Sequence, residues 1–241
     1  MSPDGVVVTS LLVLLASFVA GLFGFGFGIV ATAGLSLTME LVHAANVVNF
    51  VSPFVTASLF WQLRGHVAWA PVRRIAPWLL GGVGLGVLAL ASLDARILVR
   101  ALGALVVAVS LWNLSARPLR VPENRLSDAL AGGLSGLFGG AFNSGGPPLI
   151  AYVYSRAGTP QQLKATLQAL FLCSTFARMA FASAQGVMEA GALWEAALAT
   201  PLALAGQYAG HALSARLPSE RFRRLAWLGL LALGVVLGVR G

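Results

Sequence analysis

Residues able to do chemistry are scarce in this chain. The richest group is Asn143-Ser144-Gly145-Gly146-Pro147, inside the stretch GLFGGAFNSGGPPLIAY that runs from Gly136 to Tyr152. Glycine accepts left-handed turns and lets backbones approach closely. Proline suits the first turn of a helix, where its missing N–H costs nothing. SGGPP therefore predicts a turn over Ser144–Gly146 and a new helix starting near Pro147 or Pro148. The free N–H groups ahead of that helix, joined to the positive end of its dipole, make an anion site. Asn143 and Ser144 add side-chain donors. A second glycine-rich stretch, GLFGFGFG from Gly21 to Gly28, supplies Gly24, Gly26 and Gly28 but lacks the paired prolines and the Asn-Ser, so its tip is poorer in donors.

Further candidates stand at helical spacing. Lys164, Gln168, Thr175 and Arg178 share one face of a helix. Arg178 could be the counter-charge to an anionic substrate, or it could snorkel to the interface or pair with a glutamate. His43, Asn46, Asn49, Pro53 and Thr56 share another face, on which Asn46 and Asn49 either line a path or join two helices. Gln207 and His211 form an i, i+4 pair that reads first as packing. Cys173, the single cysteine, reads as a buried, inert thiol. There is no phosphate-binding G-x-x-x-x-G-K-[ST] motif. One Cys, three His and eight carboxylates give no visible metal cluster, so no cofactor or metal is expected. Gly133-Leu134-Ser135-Gly136 spells the G-x-S-G of an intramembrane serine protease, but its counterpart in the repeat described below has Ala20 in place of Ser135. The position asks only for a small residue.

The elements that must position these groups are membrane helices. Of the 241 residues, 58% are hydrophobic and only 10% charged, and the mean hydropathy is +0.83. A soluble domain of this length needs more charge to cover its surface. The expected fold is an all-α polytopic membrane protein with segments at about 6–39, 41–63, 75–93, 97–114, 129–154, 163–184, 192–214 and 222–238. The net charge of +8 is no nucleic-acid signal, because the bases cluster in short connections between apolar segments. The start of the chain has no basic n-region before its long apolar run, so it is expected to remain on the mature protein.

ARPLRVPENRLSD, 116–128, is the longest polar interval and divides the chain into a first repeat, 1–115, and a second, 129–241. Gly21-Leu22-Phe23-Gly24 recurs as Gly136-Leu137-Phe138-Gly139, Trp69 answers to Trp194, and Gly82 and Gly86 answer to Gly206 and Gly210. The order is kept, which indicates a duplication of four segments. If all eight segments cross, seven bases fall on one side and eight on the other. If segments 1 and 5 instead re-enter on the side they came from, the split becomes twelve against three, with only Arg96, Arg100 and Arg240 outside. The positive-inside rule then favours inverted repeats with both termini outside the cytoplasm. Eight plain spans in parallel repeats is the competing picture.

This arrangement resembles the TauE/SafE (sulfite exporter) family of membrane permeases. The resemblance rests on GLFGGAFNSGGPPLIAY, on GLFGFGFG, on the G-x-x-x-W ending at Trp69, on GGVGLG and on ARLPSERFRRL, and it covers essentially the whole chain. Where family members often have a proline after the first glycines, this chain reads GIVATAGLSL. The resemblance implies transport, usually outward, of a small sulfur oxyanion such as sulfite, a sulfonate or a related organic acid. The expected protein is a multi-pass, inner-membrane secondary transporter rather than an enzyme. Its partners are a small anion and the lipid bilayer, not nucleic acid, and homo-oligomerisation is left open. A non-transporting membrane subunit, with the glycine breaks as packing devices, is the alternative.

Overall fold

The computed structural model describes residues 3–115, 121–155, 158–214 and 219–240, and every regular element among them is helical. The first apolar segment makes two helices, α1 (Pro3–Phe23) and α2 (Phe27–Leu35), on either side of a glycine break. Gly24 and Gly26 there have φ of +79° and +100°, a backbone that side-chain-bearing residues rarely adopt. Next come α3 (Leu41–Leu63), a short 3₁₀ turn over Arg64–His66, and α4 (Trp69–Ser92). Arg73 and Arg74, expected in the connection, lie on exposed positions of α4, which starts earlier than the apolar run. Helix α5 (Ala95–Leu114) is N-capped by Asp94, whose carboxylate accepts the Arg96 N–H.

The second half follows the same order. Helix α6 (Arg125–Phe142) starts at an Asn124 cap, so residues 125–128 of the expected linker are already helical, while 116–120 lie outside the described residues. Then come α7 (Gly146–Tyr154), α8 (Pro160–Ala184) behind a Thr159 cap, α9 (Ala190–Ser214) and α10 (Ser219–Arg240). Among the described residues five stretches, Gly5–Phe23, Leu41–His66, Trp69–Ser92, Ala95–Leu114 and Pro160–Ala184, are long and apolar enough to cross a bilayer. Large apolar side chains such as Trp61, Tyr208 and Val239 point outward, as lipid-facing residues do. The chain is a multi-pass membrane protein.

Helix packing crosses between the halves. Helix α1 lies along α9, α4 along α6 and α5 along α10, while α3 touches both α8 and α9. Glycine makes the closest of these seams. A Cβ at Gly82 or Gly86 of α4 would stand 2.3 or 2.2 Å from carbonyl oxygens of α6, and one at Gly210 of α9 would stand 2.1 Å from the Phe18 oxygen of α1. Lipid tails are as apolar as leucine, so close van der Waals contact is what holds such helices together. These glycines are packing devices, as their spacing suggested.

The second broken segment is a hairpin. Ser135 Oγ on α6 donates to the Gly145 carbonyl and accepts the Leu149 N–H at 3.2 Å. Near the open end, the Tyr152 hydroxyl donates to Asp128 Oδ1. Partners thus move apart evenly on either side of the break, and α7 runs back along α6. The break is narrower than the sequence predicts: Gly139 to Phe142 continue α6, and only Asn143–Gly145 are irregular. Cys173 corrects another expectation. It is exposed, sharing the outer face of α8 with Phe176 and Ala180, because the steps of three and four turn all three away from the bundle.

Candidate functional site

Both breaks open onto one cavity. It has a volume of about 90 Å³, room for several waters or one small oxyanion. Gly26, Phe27 and Gly28 line it from the first break, and Asn143, Ser144, Gly145, Gly146 and Pro147 from the second. The tips touch closely enough that a Cβ on Gly28 would fall 1.7 Å from the Asn143 carbonyl oxygen.

At the second tip, Asn143 ends α6 in the left-handed conformation at φ 53°, and its N–H returns to the Gly139 carbonyl at 3.0 Å. Asparagine tolerates that backbone better than most residues. Its side-chain amide donates to the Ala45 carbonyl on α3 at 3.0 Å, and Ser144 Oγ turns back to the Phe142 carbonyl. Neither the Gly145 nor the Gly146 N–H has an acceptor among the described residues, and Pro147 and Pro148 have no N–H to give. The positive end of α7 therefore faces the cavity with open donors. The start of α2, at Phe27 and Gly28, faces it from the other side.

Arg178 supplies the charge. It stands two turns from the end of α8, is only 2% exposed and lines the cavity. Its Nε donates to the Gly140 carbonyl at 2.8 Å and Nη1 to the Ala45 carbonyl at 3.3 Å. No carboxylate among the described residues pairs with it. Snorkelling and glutamate pairing are therefore not what this side chain does. A guanidinium has five N–H donors, and two carbonyls do not neutralise its charge. Gln168, one face along on α8, lines the same cavity and donates through Nε2 to the Gly24 carbonyl at 2.6 Å.

Three expected residues stand apart. Gly24 borders a second cavity with Lys164, Gln168 and His211, and reaches the main one only through its carbonyl bond to Gln168. Asn46 donates to the Val187 carbonyl at 2.7 Å, which ties α3 to the connection between α8 and α9. Asn49 is fully buried, does not line the cavity, and has no hydrogen-bond partner on either amide atom among the described residues. Ser135 is occupied by the two hairpin bonds, so its hydroxyl has a structural task. The lining also includes Ser52, Asn113 and Ser174, which the sequence reading did not single out. Ser52 and Ser174 had a visible signal, their i, i+4 spacing to Thr56 and Arg178.

The family model described as sulfite exporter TauE/SafE matches residues 9–237. The chain belongs to that family. TauE/SafE membership also agrees with a curated relative from Cupriavidus necator, called a probable sulfite/organosulfonate exporter TauE. That protein is 29% identical over 221 residues, which cover 89% of this chain and 86% of the relative. No solved structure matches. For a TauE/SafE protein, a transporter family rather than an enzyme one, the cavity between the two breaks is the natural place to look for a substrate.

Proposed function

We propose that this protein is a secondary transporter that exports a small oxyanion, sulfite or a short sulfonate, across the bacterial inner membrane. The anion sits between the two glycine breaks near the middle of the bilayer. Arg178 neutralises it, the Gly145 and Gly146 amides and the Asn143 side chain orient it, and Gln168, Gly26 and Gly28 shape the floor. Access alternates as the helix pairs α1–α9 and α4–α6 rock about this point. The two halves are read as inverted repeats whose first segments re-enter on the side they came from. The folding back of α7 along α6 and the exchange of helices between halves support that arrangement.

One observation carries the reading: Arg178 is buried at the cavity with no carboxylate beside it. A cation left so in an apolar bundle is expensive, and a bound anion relieves that cost. The relative's name, a sulfite/organosulfonate exporter, matches the charge and size that the cavity admits. The test is thermal unfolding of purified protein with sulfite, methanesulfonate or chloride, followed by flux into proteoliposomes. Sulfite or methanesulfonate is expected to raise Tm and chloride is not, and Arg178→Met is expected to abolish the rise. Indifference to every anion, with no flux, would instead favour a non-transporting subunit.

A further inference from the structure

A second polar cluster lies outside the cavity. His43, in the first turn of α3, stands between two glutamates of the other half. Its Nδ1 is 2.5 Å from Glu189 Oε2, and its Nε2 is 3.0 Å from Glu195 Oε1. The two carboxylates differ in access: the Glu189 side chain is 44% exposed and that of Glu195 only 8%. Glu195 Oε2 is buried with no hydrogen-bond partner among the described residues. That buried oxygen leaves the carboxylate with acceptor capacity to spare, which a proton on Glu195 would reduce.

No Lys or Arg among the described residues forms an ion pair with Glu189 or Glu195. Helix α3 adds Glu40, exposed at its N-cap, and α9 adds Glu195 itself. The described side chains of α1 and the whole of α2 contain no titratable group, and α5 carries Arg96 and Arg100 at exposed positions. From α8 comes Arg178, whose Nη1 reaches the Ala45 carbonyl, two residues along α3 from His43. That same carbonyl accepts the Asn143 amide, and Asn46 next to it holds Val187, just ahead of Glu189. The first turns of α3 therefore join the cluster to the anion cavity through hydrogen bonds.

We propose that His43, Glu189 and Glu195 form a proton-binding relay that loads a proton together with the transported anion. This inference rests on the anion-transport reading above. A proton from the medium binds the Glu189 carboxylate and passes to Nδ1 of a ring that already holds a proton on Nε2. The imidazolium then releases the Nε2 proton to Glu195 Oε1. The products are a neutral ring protonated at Nδ1, a restored Glu189 carboxylate and a Glu195 carboxylic acid. The cluster goes from two negative charges to one, and discharge reverses the steps. An empty relay repels an anion at Arg178 and a loaded one repels it less, so proton and anion favour each other's binding.

The test uses full-length protein in proteoliposomes enclosing a pH-sensitive dye, with methanesulfonate, an anion that brings no proton of its own. Acid on the side of the anion is expected to raise uptake severalfold, and the interior is expected to acidify with it. In Glu195→Gln the pH-gradient stimulation is expected to fall to about onefold, and in Glu189→Gln to an intermediate value. Infrared difference spectra of the detergent-purified protein are expected to contain a titrating carboxylic-acid band that Glu195→Gln removes. Absence of that band, interior alkalinisation, or an unchanged gradient response in Glu195→Gln would each overturn the relay. A Glu195-dependent band in protein that moves no anion would instead support the proton site and remove the transport reading.

Discussion

The two broken segments do the same geometric job with different chemistry. The first turns at Gly24 and Gly26, where left-handed backbone is obtained with glycine alone and no side-chain donor is offered. The second turns at Asn143, followed by a serine, two glycines and two prolines, and is braced by Ser135 and by the Tyr152–Asp128 bond. The first tip is a smooth wall and the second a set of donors. One cavity built between two glycine breaks has thus divided shape from chemistry, and the two tips should answer differently to mutation.

The largest effect is expected where they touch. Gly28→Ala drives a Cβ into the Asn143 carbonyl, 1.7 Å away. Thermal unfolding should register a loss of about 3 kcal/mol, because the obstacle is backbone and cannot swing aside. Next comes Arg178→Met, which removes the charge that both tips share. Isothermal titration with sulfite is expected to give an affinity about 100-fold weaker, and Arg178→Lys should recover only part of it, lacking the fork that reaches two carbonyls. Asn143→Gly keeps the left-handed backbone and deletes only the amide, so an affinity loss of about tenfold with little change in Tm would place that residue's value in its donor. The smallest effect is expected from Tyr152→Phe, which unbraces the second hairpin far from its tip. It should cost about 1 kcal/mol in stability and leave sulfite affinity unchanged. A large affinity loss there would mean that the brace positions the donors and would blur the distinction between tip and arm.

Much of this was legible in the sequence. Glycine and proline mark breaks because their backbone preferences are local, and the glycine seams were visible because close helix packing needs small residues at fixed spacing. Gln168 and Arg178 were found because they share a helical face with other polar groups. What spacing could not settle was direction in space. Asn46 and Asn49 sit on the same face of α3 as Thr56, yet only Thr56 reaches the cavity, because the turn that carries the asparagines is covered by α9 and the chain leading into it. The same limit misplaced Cys173, whose exposure depends on which side of α8 faces lipid. The His43 cluster was invisible for a different reason. Its members come from opposite halves, and no local pattern announces a contact of that sequence separation.

The glycine seam between α1 and α9 has a consequence for how the protein is made. Helix α1 leaves the ribosome well before Gly206 and Gly210 of α9, which press against it. Until they arrive, the stripe of α1 meant for them can be covered only by lipid or by an insertion factor. That seam therefore closes only when α9 folds back onto α1, and a ribosome stalled before α9 would leave a set of inserted helices without it.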